Sequence, residues 1–204
     1  MAIKSLVKVW KDNKIIQDEI DFLKKSTKIV NFPISAHIKE IIQDLIDTFK
    51  AVPCAGIAAN QIGYNKKVFI GMKYEIDKSL QQDPSQNIDN VISDPNNYEI
   101  YINPQIDKYD NKSMQTGEEG CLSIPNITLE LERYNNIKVR YYDINGKKIK
   151  KPLSGFLSRL FQHELDHLDG NLMIEHKNIA DAKIWFDDDS YQILSTQLIK
   201  YLKK

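Results

Sequence analysis

Residues 154–170 read SGFLSRLFQHELDHLDG. Phe156, Leu157, Leu160, Phe161, Leu165 and Leu168 recur at the steps of one helix face, and Gly170 supplies a stop after the last of them. The spacing predicts a helix over roughly Ser154–Leu168 with one buried stripe. Within it stands His163-Glu164-Leu165-Asp166-His167. Residues four apart on a helix are neighbours, so both imidazoles can reach one cation. Glu164 follows the first histidine, where it can reach a reacting water without being a ligand. This H-E-x-x-H spacing is the one used for hydrolysis at a metal. The chain has only 4 histidines, so two of them on an otherwise apolar helix need a reason.

A catalytic metal needs a third protein ligand and one open position. In zinc proteases that continue the motif as H-E-x-x-H-x-x-G-x-x-H, Gly170 fits, but Met173 occupies the third-histidine position. Glu175 lies beyond the helix stop, and His176 is out of register. The remaining soft ligand is Cys121, in Glu118-Glu119-Gly120-Cys121-Leu122-Ser123-Ile124-Pro125. A thiolate there would complete a Cys-His-His site, and that donor set suits zinc or iron. A third segment, Cys54-Ala55-Gly56-Ile57-Ala58-Ala59-Asn60-Gln61, joins small residues that permit close backbone approach to an amide donor.

CAGIAANQ, EGCLS and HELDH, in this order, resemble the three motifs of peptide deformylase, and the similarity runs from the helix at Ser35 to about Gly170. The resemblance implies an α+β fold: antiparallel β-sheets around a central helix carrying H-E-x-D-H, with an N-terminal and a C-terminal helix. It implies removal of the N-formyl group from nascent chains that begin with formylmethionine. Cys121, His163 and His167 would hold one divalent metal ion, Fe2+ physiologically, with Zn2+ or Ni2+ able to substitute. Glu164 would be general base and acid, while the Gln61 amide and the Leu122 N–H would stabilise the oxyanion. Gly56, Ile57, Glu119, Gly120, Phe156 and Leu160 would meet the substrate, and Arg133 would have a structural role. Two residues depart from the pattern. Cys54 stands in place of a glycine, a strain only if that position has positive φ. Thr128 stands where many members carry an arginine that contacts the peptide beyond methionine. Two rival readings are a zinc peptidase, which Met173 disfavours, and a homologue that binds nascent chains without turnover, which the intact motif residues disfavour.

Outside the motifs, Ile38, Ile41, Ile42, Leu45, Ile46 and Phe49 predict a helix from Ser35 to Phe49, capped by Ser35 and followed by Pro53. Strands are expected at Lys67–Met72, Tyr98–Ile102, Ile127–Leu131 and Ile137–Tyr142, and Asn145-Gly146 signals a two-residue hairpin. Residues 77–97 read as a polar surface insertion, and Tyr191, Leu194, Leu198 and Leu202 as a closing helix over about 190–203. Strands and helices are segregated, which argues α+β. A length of 204 residues suits a single domain over 1–204. Lys plus Arg and Asp plus Glu are both 28, so the composition makes no electrostatic case for nucleic acid and demands no basic patch. Cys54 and Cys121 are too few for a disulfide framework, and Met1–Trp10 lacks a signal-peptide run. The expectation is a cytoplasmic monomer, off the membrane, acting on nascent peptides and working near the ribosome exit tunnel.

Overall fold

The computed structural model describes residues 3–12, 14–75 and 97–176. Strands β1 (Trp10–Lys11) and β2 (Lys14–Ile15) form a small antiparallel pair, followed by helices α1 (Gln17–Leu23) and α2 (Ala36–Ala51). Then come β3 (Gly56–Ala58), a 3₁₀ turn at Ala59–Ile62, and β4 (Val68–Met72). Strands β5 (Tyr98–Tyr109), β6 (Met114–Cys121), β7 (Ile124–Tyr134), β8 (Asn136–Tyr142) and β9 (Lys148–Ser154) lead into α3 (Gly155–Asp169) and a 3₁₀ turn at Met173–Glu175.

The main sheet is 5-stranded, in the order β3-β4-β5-β8-β9, and every neighbouring pair is antiparallel. Strand alternation sends Ile57, Val68, Ile70 and Ile102 towards the apolar stripe of α2. The residues between them, including Ala58, Phe69, Tyr101 and Tyr141, pack with Phe161 and Leu168 of α3 on the opposite face. The β6–β7 hairpin lies apart from this sheet, and α3 contacts β7 as well as β3, β4, β8 and β9. The helix bearing both histidines is thus held by the main sheet and by the hairpin that carries Cys121.

Both amphipathic helices form where periodicity puts them. The Ser35 hydroxyl accepts the Ile38 N–H at 3.3 Å and starts α2. Gly170 ends α3 at φ 83°, and a Cβ there would stand 2.4 Å from the Lys24 carbonyl oxygen. Only glycine meets both demands. The strands depart more from expectation. β5 continues past Ile102 to Tyr109 through register shifts, and Asn103 sits within it at φ 50°. β6, β9 and the short helix α1 arise from segments without a clear apolar period. The hairpin at Asn145-Gly146 exists, but its loop has three residues, not two: Asp143 N–H donates to Lys147 O, and Gly146 takes φ 78°. Among the described residues no helix is long and apolar enough to cross a membrane. The expected closing helix and nearly all of the polar insertion lie outside the described residues.

Candidate active site

Cys121 ends β6, while His163 and His167 project from α3 one turn apart. One ligand atom from each, the Cys121 Sγ and an imidazole nitrogen of each histidine, lies within 4.8 Å of the others. The Cys121 Sγ is 3.1 Å from His167 Nε2, and the two imidazole rings stand edge to face at 5.0 Å. Burial by itself would raise the Cys121 thiol, but the neighbouring imidazoles outweigh it and bring it down to about 5. The sulfur is thereby prepared as a thiolate ligand.

Behind the histidines lies a buried charge network centred on Glu119. Arg133 donates to both Glu119 oxygens at 2.9 Å, and Arg159 donates to Oε1 at 2.6 Å. Glu119 Oε2 is 3.0 Å from His163 Nδ1, so the ring is oriented with Nε2 left for a ligand role. Arg133 also reaches Asp166 at 2.6 Å and so ties the hairpin to α3. Burial opposes ionisation of Glu119, yet His163 and Arg133 hold its carboxyl well below the usual range. Arg159 has room to lie in the hairpin because Gly117 has no side chain; a Cβ there would be 3.2 Å from its guanidinium.

Glu164 is 2% exposed, and its Oε2 has no hydrogen-bond partner among the described residues. Burial chiefly, helped by the charges of Cys121 and Glu119 against the opposing histidines, pushes its carboxyl up to about 7. Gly56 makes this position possible: a Cβ there would stand 2.7 Å from Glu164 Oε1 and 2.9 Å from Leu160 Cδ1. Gln61 accepts the Ala58 N–H through Oε1 at 2.8 Å, which aims its Nε2 at Ser123 Oγ, 3.3 Å away, and Cys121 Sγ, 3.6 Å away. Asn60 donates to the His167 carbonyl at 2.6 Å and fastens this turn to α3. A cleft of about 830 Å³ opens over these groups, lined by Gly56, Gln61, Glu119, Gly120, Cys121, Leu122, Phe156, Leu160, His163 and Glu164.

A sequence model of the family described as Polypeptide deformylase matches residues 12–183. The chain belongs to the polypeptide deformylase family. Peptide deformylase 1 of Clostridium perfringens (strain 13 / Type A) is 33% identical over 177 residues, spanning 87% of this chain and 99% of that protein. The crystal structure of peptide deformylase from Thermotoga maritima aligns at TM-score 0.64 and 28% identity, over 86% of this chain and 98% of that one. The Met-Ala-Ser-bound class I type b peptide deformylase from Acinetobacter baumannii aligns at TM-score 0.67 and 26% identity, over 86% and 99%. The resemblance carried by CAGIAANQ, EGCLS and HELDH is therefore borne out, and the chain is a hydrolase of that family. The match also extends beyond the span from Ser35 to Gly170, on both sides.

Membership in the deformylase family does not fix what each side chain does here, and two placements differ from the sequence reading. Ile57 is fully buried in the cluster under α2, and its side chain does not line the cleft. A strand alternates sides, and Ile57 falls on the core side between Gly56 and Ala58. Glu119 borders the cleft, but both its oxygens are taken by Arg133, Arg159 and His163, so it holds the His163 ring in place and has no free oxygen turned to a peptide. Arg133 has the structural role expected of it. Cys54 lies outside the positive-φ residues, so its replacement of glycine brings no backbone strain. Its thiol is pushed up to about 12, first by burial and then by Glu164. Thr128 lines the cleft opposite Gly120. Sequence reading missed Arg159, Asp166 and Ser123. The i, i+2 spacing of Gln115, Gly117, Glu119 and Cys121 along β6 is the signal that could have found the face Arg159 covers.

Proposed function

We propose that this chain removes the N-formyl group from the formylmethionine of newly made proteins and releases formate, using one divalent cation held by Cys121, His163 and His167. The observation that carries this reading is the convergence of a thiol and two imidazoles beside a buried carboxylate, whose Oε2 has no hydrogen-bond partner among the described residues, at a peptide-sized cleft. The donor set fits a metal: the sulfur is poised as a thiolate, and Glu119 holds the His163 ring from its far side. A divalent cation bound there supplies Lewis acidity and makes hydroxide available at neutral pH.

The chain's own groups account for the remainder. Glu164, held near neutrality by burial, accepts the proton of the water that attacks the formyl carbon and passes it to the leaving amine. Gln61 Nε2 and the Leu122 N–H donate to the developing oxyanion, each typically worth about 3–4 kcal/mol. The backbone at Gly56 and Gly120 pairs with the peptide, and Phe156 and Leu160 receive the methionine side chain. Hydrogen is the only substituent on a formyl carbon beyond its oxygen and nitrogen, so a formyl group makes the smallest steric demand of any acyl group on the space beside Gly56, Leu160 and Glu164.

The same reading has α3 as the central helix of a single catalytic domain. It takes Fe2+ as the working metal, with Zn2+ or Ni2+ as substitutes, in a cytoplasmic monomer meeting nascent chains near the ribosome exit tunnel. The test is anaerobic turnover of formyl-Met-Ala, with metal content measured on the same sample. Wild type should release formate at one metal per chain, and Cys121→Ala should lose one-to-one metal binding while keeping its circular dichroism. Undiminished metal affinity in Cys121→Ala would overturn the ligand set, and a fully metal-loaded wild type that releases no formate would overturn the reaction.

A further inference from the structure

The last carbonyls of a helix lack donors within the helix, and those of α3 are answered from elsewhere in the chain. Leu168 O accepts both the N–H and the hydroxyl of Thr27 at 2.8 Å, and Asp169 O accepts the Ser26 hydroxyl at 3.0 Å. His167 O receives the Gly170 N–H at 3.3 Å and Asn60 Nδ2 at 2.6 Å. None of Ser26, Thr27 and Asn60 lines the cleft. Asn60 differs from the other two in where it comes from. It sits in the 3₁₀ turn at Ala59–Ile62, next to Gln61.

The two histidines are braced differently. His163 has Glu119 against its Nδ1 at 3.0 Å. His167 Nδ1 is buried, with no hydrogen-bond partner among the described residues. A ligand imidazole is ordinarily oriented through its second nitrogen, so the placement of His167 rests instead on how its backbone is held. Asn60 is 1% exposed, and its Oδ1 also has no partner among the described residues. A buried amide with one end unanswered loses in desolvation at least what its one bond returns. Stability therefore gives little reason for an asparagine here. The place of the bond gives one: it joins the carbonyl of His167 to the turn whose next side chain aims Nε2 at Cys121 Sγ, 3.6 Å away.

We propose that Asn60 is a positioning residue that keeps His167 and Gln61 in register, so that a metal ligand and the oxyanion donor are set as one piece. It acts through these two neighbours and touches neither metal nor substrate. The proposal rests on the Cys-His-His and deformylation reading. The test compares full-length Asn60→Leu, which has nearly the same volume and no donor, with Thr27→Val, which removes a bond of the same kind one carbonyl further on. Asn60→Leu should weaken Zn2+ binding about 10–100-fold and shift the visible bands of the Co2+-loaded protein. With formyl-Met-Ala at full metal loading, its kcat should fall at least about tenfold while KM stays within about twofold. In urea it should unfold no more easily than Thr27→Val, whose metal affinity, Co2+ bands and turnover should match wild type. Asn60→Ala should show the same split, and it serves if the leucine variant does not fold. Zinc affinity within about twofold of wild type with unshifted Co2+ bands would overturn the proposal. Equal losses in Thr27→Val would overturn it too, since the bond would then only secure the helix end, as would a raised KM at unchanged kcat. A fully metal-loaded wild type that releases no formate would overturn the deformylation reading alone, because zinc affinity and Co2+ bands are read without turnover.

Discussion

Glu164 and Gly56 show how one residue's chemistry depends on another residue's absence of a side chain. Glu164→Gln keeps size and hydrogen-bonding reach but cannot accept a proton. It should bind metal fully and lower kcat by about 10²–10⁴, the usual contribution of general acid–base catalysis. Turnover within threefold of wild type at equal metal content would remove Glu164 from the mechanism. Its carboxyl also leaves a thermodynamic trace in metal-free protein. The folded value, about 7, lies above the ordinary 4.5. The folded state therefore holds this proton more tightly than the unfolded chain, and the associated stability is full below pH 4.5 and lost as pH rises through about 7. Subtracting the urea-derived stability of Glu164→Gln from that of wild type at each pH should reveal this decline, and a flat difference would contradict it. Gly56→Ala places a methyl 2.7 Å from Glu164 Oε1. It should cost about 1–3 kcal/mol by overpacking and depress kcat by shifting the carboxylate, which stopped-flow turnover beside thermal melts will separate.

At the scale of elements, the β6–β7 hairpin and α3 form one unit because Arg133 bridges Glu119 on β6 and Asp166 on α3. Both Glu119 and Arg133 are more than nine-tenths buried, so the pair is far less screened than a surface ion pair. Removing Arg133 takes two contacts from Glu119 and one from Asp166 and leaves Glu119 with Arg159 and His163 alone: Arg133→Met should destabilise the protein by about 1.5–3 kcal/mol in urea titrations. It should also weaken metal binding by about 10–100-fold, because the groups orienting His163 are loosened. Arg133→Lys should rescue little, since a lysine cannot make the two-pronged contact with Glu119. A stability loss under about 1 kcal/mol with unchanged metal affinity would mean that the hairpin and helix are joined by apolar packing instead.

Across the whole molecule, the proposed ligands come from segments far apart in the chain and on different layers. A bound cation would cross-link the hairpin to the helix and stabilise the folded state by mass action, about 2.7 kcal/mol at a free metal concentration 100 times Kd. Chelation should therefore lower the melting temperature of wild type towards that of Cys121→Ala, while leaving Cys121→Ala itself unmoved. Calorimetric scans with and without chelator measure this, and equal shifts in both proteins would show that the chelator acts elsewhere.

Sequence by itself determined the two long helices, because Ile38 to Phe49 and Phe156 to Leu168 carry periodic apolar stripes that have one way to be buried. It determined the donor types too, because H-E-x-D-H and E-G-C-L-S are local spacings whose chemistry travels with them. It could not determine β6, whose exposed and glycine-rich residues form a strand only because β7 pairs with them from Gln115↔Arg133 to Gly120↔Thr128. Nor could it assign Glu119, which lines the cleft but has both its oxygens taken by Arg133, Arg159 and His163. Ile57 follows the same logic, since which side of β3 faces the core is set by α2. Charge is the widest instance. A balance of 28 cations and 28 anions gave no sign of a basic face. Strand pairing set Lys108 of β5 opposite Lys138 of β8 on one face, because alternation sorts residues by face and composition cannot.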